Sequence, residues 1–498
     1  MKILLVKPHA ELNVAKRLSE AFLHLEPLEL EIVAGGIGPE HDVRILDLSI
    51  EKNPLKRFND LIREYSPGML ALSGYSSTAH IVKELAERAK EISPDILIVV
   101  GGIHATIYPY DYNTGSIDLI VRGEGATAMS RILERIEKGK QISDSISVLE
   151  PLSDDFVAAS KLPPPPYANI RDIPLPRRDL VQRDKYFCIW THSDTGRLDT
   201  LFPRVASLRT SLGCPFSCSF CVIHFAMNGA YLQKSPEDVV EEIRNIKEEY
   251  IYFVDDEMFI NTKRVSAIAR LLKEENIRKK YISWARSDTI VSHPELFREW
   301  KEVGLDVVYV GLESMDEKRL SEYNKKTSME TNRKAVSILK EINITLHAAF
   351  IVNPDFSVDD FKALEKDMEF VSPAEITFTV LSPSPGTELF RQNSHRFICE
   401  PFRFYDCMHS LLPTRLPLQK FYQHFGRLYS LALRANPLRR NRIKVPLKDL
   451  FYSIYMGTRY IFSLYQIYKD YPEQLWKKSG DELLHESKKI DGAFRNGS

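Results

Sequence analysis

Short apolar runs separated by helical spacings organise the first third of the chain. Strands are predicted at residues 3–6, 43–47, 69–73, 96–100 and 118–121. Between the third and fourth, residues 78–92 place apolar side chains at the spacing of an amphipathic helix. This alternation predicts an α/β fold over residues 1–150, a doubly wound parallel sheet covered on both faces. Ligands of such sheets sit beyond the carboxyl ends of the strands.

The alternation resumes further on. Strands are predicted at 205–210, 250–255, 281–285, 306–311, 344–352 and 376–381, with helices such as 236–247 and 294–303 between them. Six β/α units over 201–395 predict a partial barrel, with its chemistry gathered where strands end. Residues 151–200 read as a linker: prolines at 163–166, 174 and 176 favour extended backbone. From 396 to 498 the pattern is helical and rich in Tyr and Phe. A basic stretch at 434–448 precedes an apolar, aromatic run at 450–468 that contains Arg459. That run has three readings: a buried core helix, the lining of a pocket, or a helix at a membrane surface.

A length of 498 residues exceeds one ordinary domain. With 44% hydrophobic and 27% charged residues and a net charge of −1, the chain is globular in composition and not a nucleic-acid binder. The apolar start is too short for a signal peptide, and no run clearly spans a bilayer. A cytoplasmic location is expected, with peripheral contact to the inner membrane under the surface reading. Six cysteines cannot staple a chain this long, but three of them fall within eight residues, which points to metal ligation in a reducing compartment.

Those three form Cys214-x-x-x-Cys218-x-x-Cys221 after the first strand of the barrel. Thiolates are soft ligands and hold iron–sulfur clusters. Three ligands leave one iron of a four-iron cluster open. Zinc is the alternative: a structural zinc site takes four ligands, and His224 is the available fourth. The spacing, with Phe220 just before the last cysteine, resembles the signature of the radical S-adenosylmethionine superfamily. The resemblance implies a 4Fe–4S cluster on Cys214, Cys218 and Cys221. It also implies S-adenosylmethionine on the open iron, a 5′-deoxyadenosyl radical, and an electron donor of flavodoxin or ferredoxin type. By the same resemblance Asp255, Asp256 and Glu257 lie near the methionine amine and Arg286 near its carboxylate. Glu313, in Gly311-Leu312-Glu313-Ser314, lies near the ribose. Pro385-Gly386-Thr387 follows the sixth strand.

At the expected sheet edge of the first region lie Ser73-Gly74-Tyr75-Ser76, Gly101-Gly102 and Arg122-Gly123-Glu124-Gly125. Small residues let backbone approach a bulky ligand, and three such loops predict one. A doubly wound domain before such a barrel resembles the cobalamin-binding subclass. The resemblance implies cobalamin held by Ser73, Gly74, Ser76, Gly101, Gly102, Gly123, Glu124 and Gly125. It implies methylcobalamin as methyl donor to an unactivated carbon. Many cobalamin domains place Asp-x-His-x-x-Gly after the first strand, whose His ligates cobalt. Here Lys7-Pro8-His9-Ala10-Glu11-Leu12 lacks the Asp and the Gly. Lys7 cannot accept the bond that would orient the imidazole, so cobalamin without a histidine lower ligand is expected.

Segments 25–33, 254–257 and 412–418 resemble the hopanoid C-3 methylase family, which implies a lipid substrate and a methyltransferase. Two other readings stand beside it. One is a related radical enzyme performing oxidative ring closure or methylating another small molecule. The other is a non-catalytic cobalamin sensor or carrier, against which the intact cysteine loop argues. The C-terminal region is expected to capture substrate rather than make the radical.

Overall fold

Strand β1 (Lys2–Lys7) buries Ile3, Leu4, Leu5 and Val6 completely, as a strand covered on both faces must. It pairs in parallel with β2 (Asp42–Asp47) and β3 (Met69–Ser73). Strands β4 (Leu97–Gly101) and β5 (Leu119–Val121) extend the parallel run. A two-residue edge strand, β6 (Val148–Leu149), adds antiparallel to β5 and was not expected from sequence. The order is β2-β1-β3-β4-β5-β6. Leu4 and Val6 join one core with Phe58 and Leu85; Ile3 and Leu5 join another with Leu30 and Ile132. The expected doubly wound sheet is therefore present, and β3 has the expected bounds.

This computed structural model describes residues 1–143, 146–167, 169–400 and 402–495, in two compact units. The first unit is Met1–Leu12, Glu26–Lys185 and Val222–Leu232; the second is Asn13–Leu25, Tyr186–Cys221 and Gln233–Ser498. The expected divisions at 150, 200 and 395 do not fall at the bounds of these units. The proline-rich stretch packs in the first unit: Arg122 donates to the carbonyls of Ala159 and Leu162, and Pro165 lies against Gly123. Helix Asn13–Phe22 buries Val14 in the core of the second unit, where Phe22 meets Tyr460 edge-on at 5.3 Å.

In the second unit β7 (Val205–Leu208), β8 (Tyr250–Phe253), β9 (Lys280–Ala285), β10 (Leu305–Glu313), β11 (Thr345–Val352) and β12 (Glu375–Val380) form one parallel sheet in that order. This is the expected partial barrel. Helices cover its outer face. Pro294–Val303 has the expected bounds because Pro294 opens it and Gly304, at φ 115°, closes it. A Cβ on Gly304 would also meet the Lys279 carbonyl at 2.0 Å. On the inner face, alternate residues of β9, β10 and β11 present Trp284, Tyr309 and His347. Their rings follow one another at 3.7 and 4.5 Å. One step further along the same face are the small residues Gly311 and Ala349, and the Glu313 carboxylate and Lys325 Nζ lie over Gly311.

The C-terminal region is helical, as expected, but it belongs to the barrel's core. Helix Leu418–Ala435 lies along edge strand β12, where Tyr429 Oη donates to Phe378 O at 2.6 Å and accepts from Phe378 N at 3.1 Å. An open strand edge is thereby satisfied. The apolar run expected at 450–468 is helix Leu447–Tyr465, whose inner side buries Met456, Tyr460 and Leu464. Among the described residues no helix is long and apolar enough to cross a membrane.

Candidate functional site

Beyond β7 the chain turns through Gly213 (φ 85°) into the cysteine loop. Cys214, Cys218 and Cys221 are half-buried thiols. Two acidic residues after β8 hold the entry to this loop. Asp255, 3% exposed, accepts from Thr210 N at 3.1 Å and Thr210 Oγ1 at 2.8 Å, and from Ser211 Oγ. Burial pushes its carboxyl above the usual range, against those donors. Asp256 accepts from Gly213 N at 2.8 Å. The structure thus places both carboxylates on the loop's own backbone, as clamps. Arg264 braces the same turn by donating to Thr210 O at 2.8 Å.

The far side of the loop is pinned to residues 322–325, a segment sequence reasoning missed. Ser219 N donates to Tyr323 O at 3.0 Å, and Asn324 Nδ2 to Ser217 O at 2.8 Å. Phe220 meets the Tyr323 ring edge-on at 5.8 Å. Lys325, 7% exposed, donates to Glu313 Oε1 at 2.8 Å. Its carbonyl accepts from Arg286 Nη2 at 2.6 Å. Arg286 also pairs with Asp288 at 2.9 Å and lies over the Phe216 ring at 3.7 Å. Glu313 ends β10 at φ 61°, next to a register irregularity between β10 and β11. Burial pushes Glu257 up to about 7, opposed by the Phe259 N–H, Arg286 and Lys325. Arg286, Glu313, Lys325 and the cysteine loop therefore form one cluster of groups. A lone lysine in the run Asn324-Lys325-Lys326 carries no sequence signal beyond surface charge.

The cysteines suit an iron–sulfur cluster better than one ion. Among the described residues, the groups whose ligand atoms gather within 4.8 Å are Glu40–His41–Glu137 and His192–Asp194–Asp306, not the three sulfurs. A single zinc would draw its ligands to that range. Arg286 and Lys325 both lie in the field of Cys218, so positive charge is buried beside the thiols. Pro385-Gly386-Thr387 serves a helix start: Thr387 Oγ1 accepts from Phe390 N at 3.1 Å.

In the first unit the three glycine-containing loops meet at the carboxyl edge of β3, β4 and β5. Gly102 (φ 94°) approaches so closely that a Cβ there would lie 2.8 Å from Ser73 Oγ and 3.1 Å from Gly74 N. Thr106 Oγ1 donates to Gly102 O at 2.9 Å and accepts from Gly123 N at 3.0 Å, which ties the second loop to the third. Ser76 Oγ lies 3.0 Å from Nδ1 of buried His104, whose Nε2 faces Asp111 at 3.1 Å. This His104–Asp111 pair was not read from sequence. Glu124 caps helix Gly125–Glu137, accepting from Ala126 N at 2.6 Å and Thr127 N at 2.7 Å. Gly101 ends β4. Lys7 donates to Asp47 Oδ2 at 3.3 Å. The edge is built of backbone packed closely enough that a methyl group at Gly102 would run into Ser73 and Gly74.

Residues 208–368 match the radical SAM superfamily, and residues 16–133 match the B12 binding domain. Over 414 residues the chain is 32% identical to the hopanoid C-3 methylase of Methylococcus capsulatus, spanning 81% of this chain and 76% of that one. The cobalamin-dependent S-adenosylmethionine radical enzyme OxsB, solved with aqua-cobalamin bound, aligns at a TM-score of 0.63 and 16% identity, over 98% of this chain and 83% of that one. The radical S-adenosylmethionine methyltransferase TsrM of Kitasatospora setae, solved with cobalamin and an iron–sulfur cluster, aligns at 0.60 and 14%, over 94% and 99%. Both solved enzymes share the fold. The cysteine loop on a partial barrel, the glycine-edged sheet before it and the long match to a methylase place this chain in the cobalamin-dependent radical S-adenosylmethionine methyltransferase family.

Proposed function

We propose that this enzyme methylates an unactivated carbon of a large apolar lipid, a hopanoid at C-3. The observation that carries the substrate is the 32% identity to hopanoid C-3 methylase, which extends over 81% of the chain rather than the cysteine loop alone. When bound, the cluster with S-adenosylmethionine supplies a hydrogen-abstracting radical and methylcobalamin supplies the methyl group.

The chain's own residues bind and aim these groups. Cys214, Cys218 and Cys221 act as thiolate ligands. Asp255 and Asp256 hold the loop in place through Thr210, Ser211 and Gly213. Phe220 anchors its far side on Tyr323. Arg286 and Glu313, both fastened to Lys325, meet the polar groups of S-adenosylmethionine. In the first unit Ser73, Gly74, Ser76, Gly101, Gly102, Gly123 and Gly125 hold cobalamin with backbone and small side chains. Glu124 keeps the third loop in shape by capping the following helix. The floor of Trp284, Tyr309 and His347 closes the barrel against water from below. Electrons come from a flavodoxin- or ferredoxin-type donor in the cytoplasm.

The test is anaerobic incubation of the reconstituted enzyme with S-adenosylmethionine, a low-potential reductant and a hopanoid unmethylated at C-3. Methylation adds one CH₂ to the product, formed together with 5′-deoxyadenosine. A product that loses hydrogen without gaining carbon would indicate oxidative ring closure. 5′-Deoxyadenosine formed without any change in the hopanoid would overturn the substrate.

A further inference from the structure

Helix Leu447–Tyr465 buries one side and leaves the other bare. Leu447, Phe451, Ile454, Tyr455 and Phe462 are between 56% and 71% exposed. At 3.6 residues per turn these five fall in one arc opposite the buried Met456 and Tyr460. Lys448 and Arg459 border that arc along one side, with the Arg459 guanidinium 5.4 Å from the Tyr455 ring. The helix has one acidic residue, Asp449, and it is turned inward to accept from Thr200 Oγ1 at 2.7 Å and Leu201 N at 2.9 Å.

The segment leading into the helix is basic without interruption. Arg434, Arg439, Arg440, Arg442, Lys444 and Lys448 occur with no Asp or Glu between them. All six are exposed. Among the described residues none of the six is paired with a carboxylate. An aromatic and aliphatic stripe beside unpaired cations is complementary to one kind of surface, an apolar layer beneath a sheet of negative charge. A second copy of this chain fits poorly, since pairing two such faces would bring twelve cations together.

We propose that this face seats on an anionic lipid bilayer. Phe451, Tyr455 and Phe462 enter the boundary between headgroups and acyl chains, while the basic segment and Arg459 lie at the phosphate level. The proposal does not rest on the identity of the methylated substrate.

The experiment is co-sedimentation of the full-length reconstituted protein with vesicles of phosphatidylcholine alone or mixed with phosphatidylglycerol. Binding to the mixed vesicles is expected to exceed binding to neutral ones by at least about tenfold and to fall as salt is raised. R439E/R440E is expected to lower the partition coefficient at least about tenfold, and F451S/F462S to lower it at both low and high salt. Equal binding to neutral and anionic vesicles, or no binding to either, overturns the proposal. So does concentration-dependent dimerisation in light scattering that F451S/F462S abolishes, which would make a second copy the occupant. The lipid-charge and salt dependence of the unaltered protein needs no variant, so a variant that fails to fold does not spare the proposal.

Discussion

Lys325 donates from Nζ to Glu313 Oε1 at 2.8 Å, and both side chains are about nine-tenths buried. Lys325 also carries Arg286 on its carbonyl, so one residue connects two of the expected S-adenosylmethionine contacts. Removing one member of a buried pair strands the other charge, at a cost of about 3–5 kcal/mol. Lys325→Met is therefore expected to lower the thermal midpoint and to weaken S-adenosylmethionine binding. Iron content should stay near that of the unaltered protein. Glu313→Gln keeps an acceptor for Lys325 and should do less to stability. Iron loss in Lys325→Met equal to that of a cysteine variant would show that the lysine builds the cluster loop itself.

Cys214, Cys218 and Cys221 changed together to Ala should abolish bound iron and the visible absorbance of the cluster. The other three cysteines should be dispensable. Burial pushes the Cys188 thiol up to about 12, which keeps it protonated and a poor ligand. Cys399 and Cys407 lie on a separate stretch after β12, away from ligand spacing. Normal iron in the triple variant, or loss of iron in Cys188→Ala, would contradict this assignment.

Cobalamin retention should depend on Gly102. Its φ of 94° and the 2.8 Å approach to Ser73 Oγ leave no place for a methyl group. Gly102→Ala is expected to lose cobalamin while keeping iron. His9→Ala should leave the EPR spectrum of bound cob(II)alamin unchanged. Disappearance of nitrogen hyperfine splitting in that variant would make His9 the lower ligand.

Much of this arrangement is legible in sequence where the signal is local. Strand β3 reads from an unbroken apolar run, and helix Pro294–Val303 from a proline at its start and a glycine at its end. The cysteine loop reads from spacing alone. Groups joined by long-range contact do not. Asp255 was identifiable as a strand-end acid, but its commitment to Thr210 and Ser211 depends on β7 lying beside β8. Lys325 acquires meaning only through Glu313 and Arg286. Helix Asn13–Phe22 lies early in the chain yet packs against Leu447–Tyr465, a pairing no periodicity encodes.

His409 titrates in a buried network: Nδ1 lies 2.8 Å from Asp406 and Nε2 3.1 Å from Asp470, with Phe404 and Tyr471 packed around the ring. Burial pushes the imidazole down, but the two carboxylates outweigh it and lift it to about 9. Asp406 is held below its usual range despite burial, chiefly by His409. A raised imidazole stabilises fully below its unfolded value near 6.5 and loses that contribution as pH rises through about 9. The depressed Asp406 contributes above its unfolded value near 3.8 and loses that as pH falls. The thermal midpoint should therefore decline between pH 6 and pH 9.5, by the equivalent of about 2–3 kcal/mol. His409→Gln should flatten that decline; an unchanged slope would remove the network from the pH dependence.

The C-terminal helices carry two separable duties. Tyr429 satisfies the backbone of Phe378 on edge strand β12, and its ring meets Tyr460 of the next helix edge-on at 5.6 Å. Tyr460 and Leu464 are fully buried in the barrel's core. A truncation near residue 430 removes Tyr460 and Leu464 from that core and takes away the packing around Tyr429. It should misfold, and 5′-deoxyadenosine and methylated product should vanish together. Substitution on the outward side of the same helix touches none of that packing. F451S/F462S should keep its thermal midpoint and its 5′-deoxyadenosine yield, because Phe451 and Phe462 are 68% and 59% exposed. Methylated lipid presented in anionic vesicles should fall severalfold, while a detergent-dispersed substrate should be methylated at the unaltered rate. A paired assay of both products in each presentation checks this. An equal loss in vesicles and detergent would place these side chains in catalysis or folding instead of at a membrane.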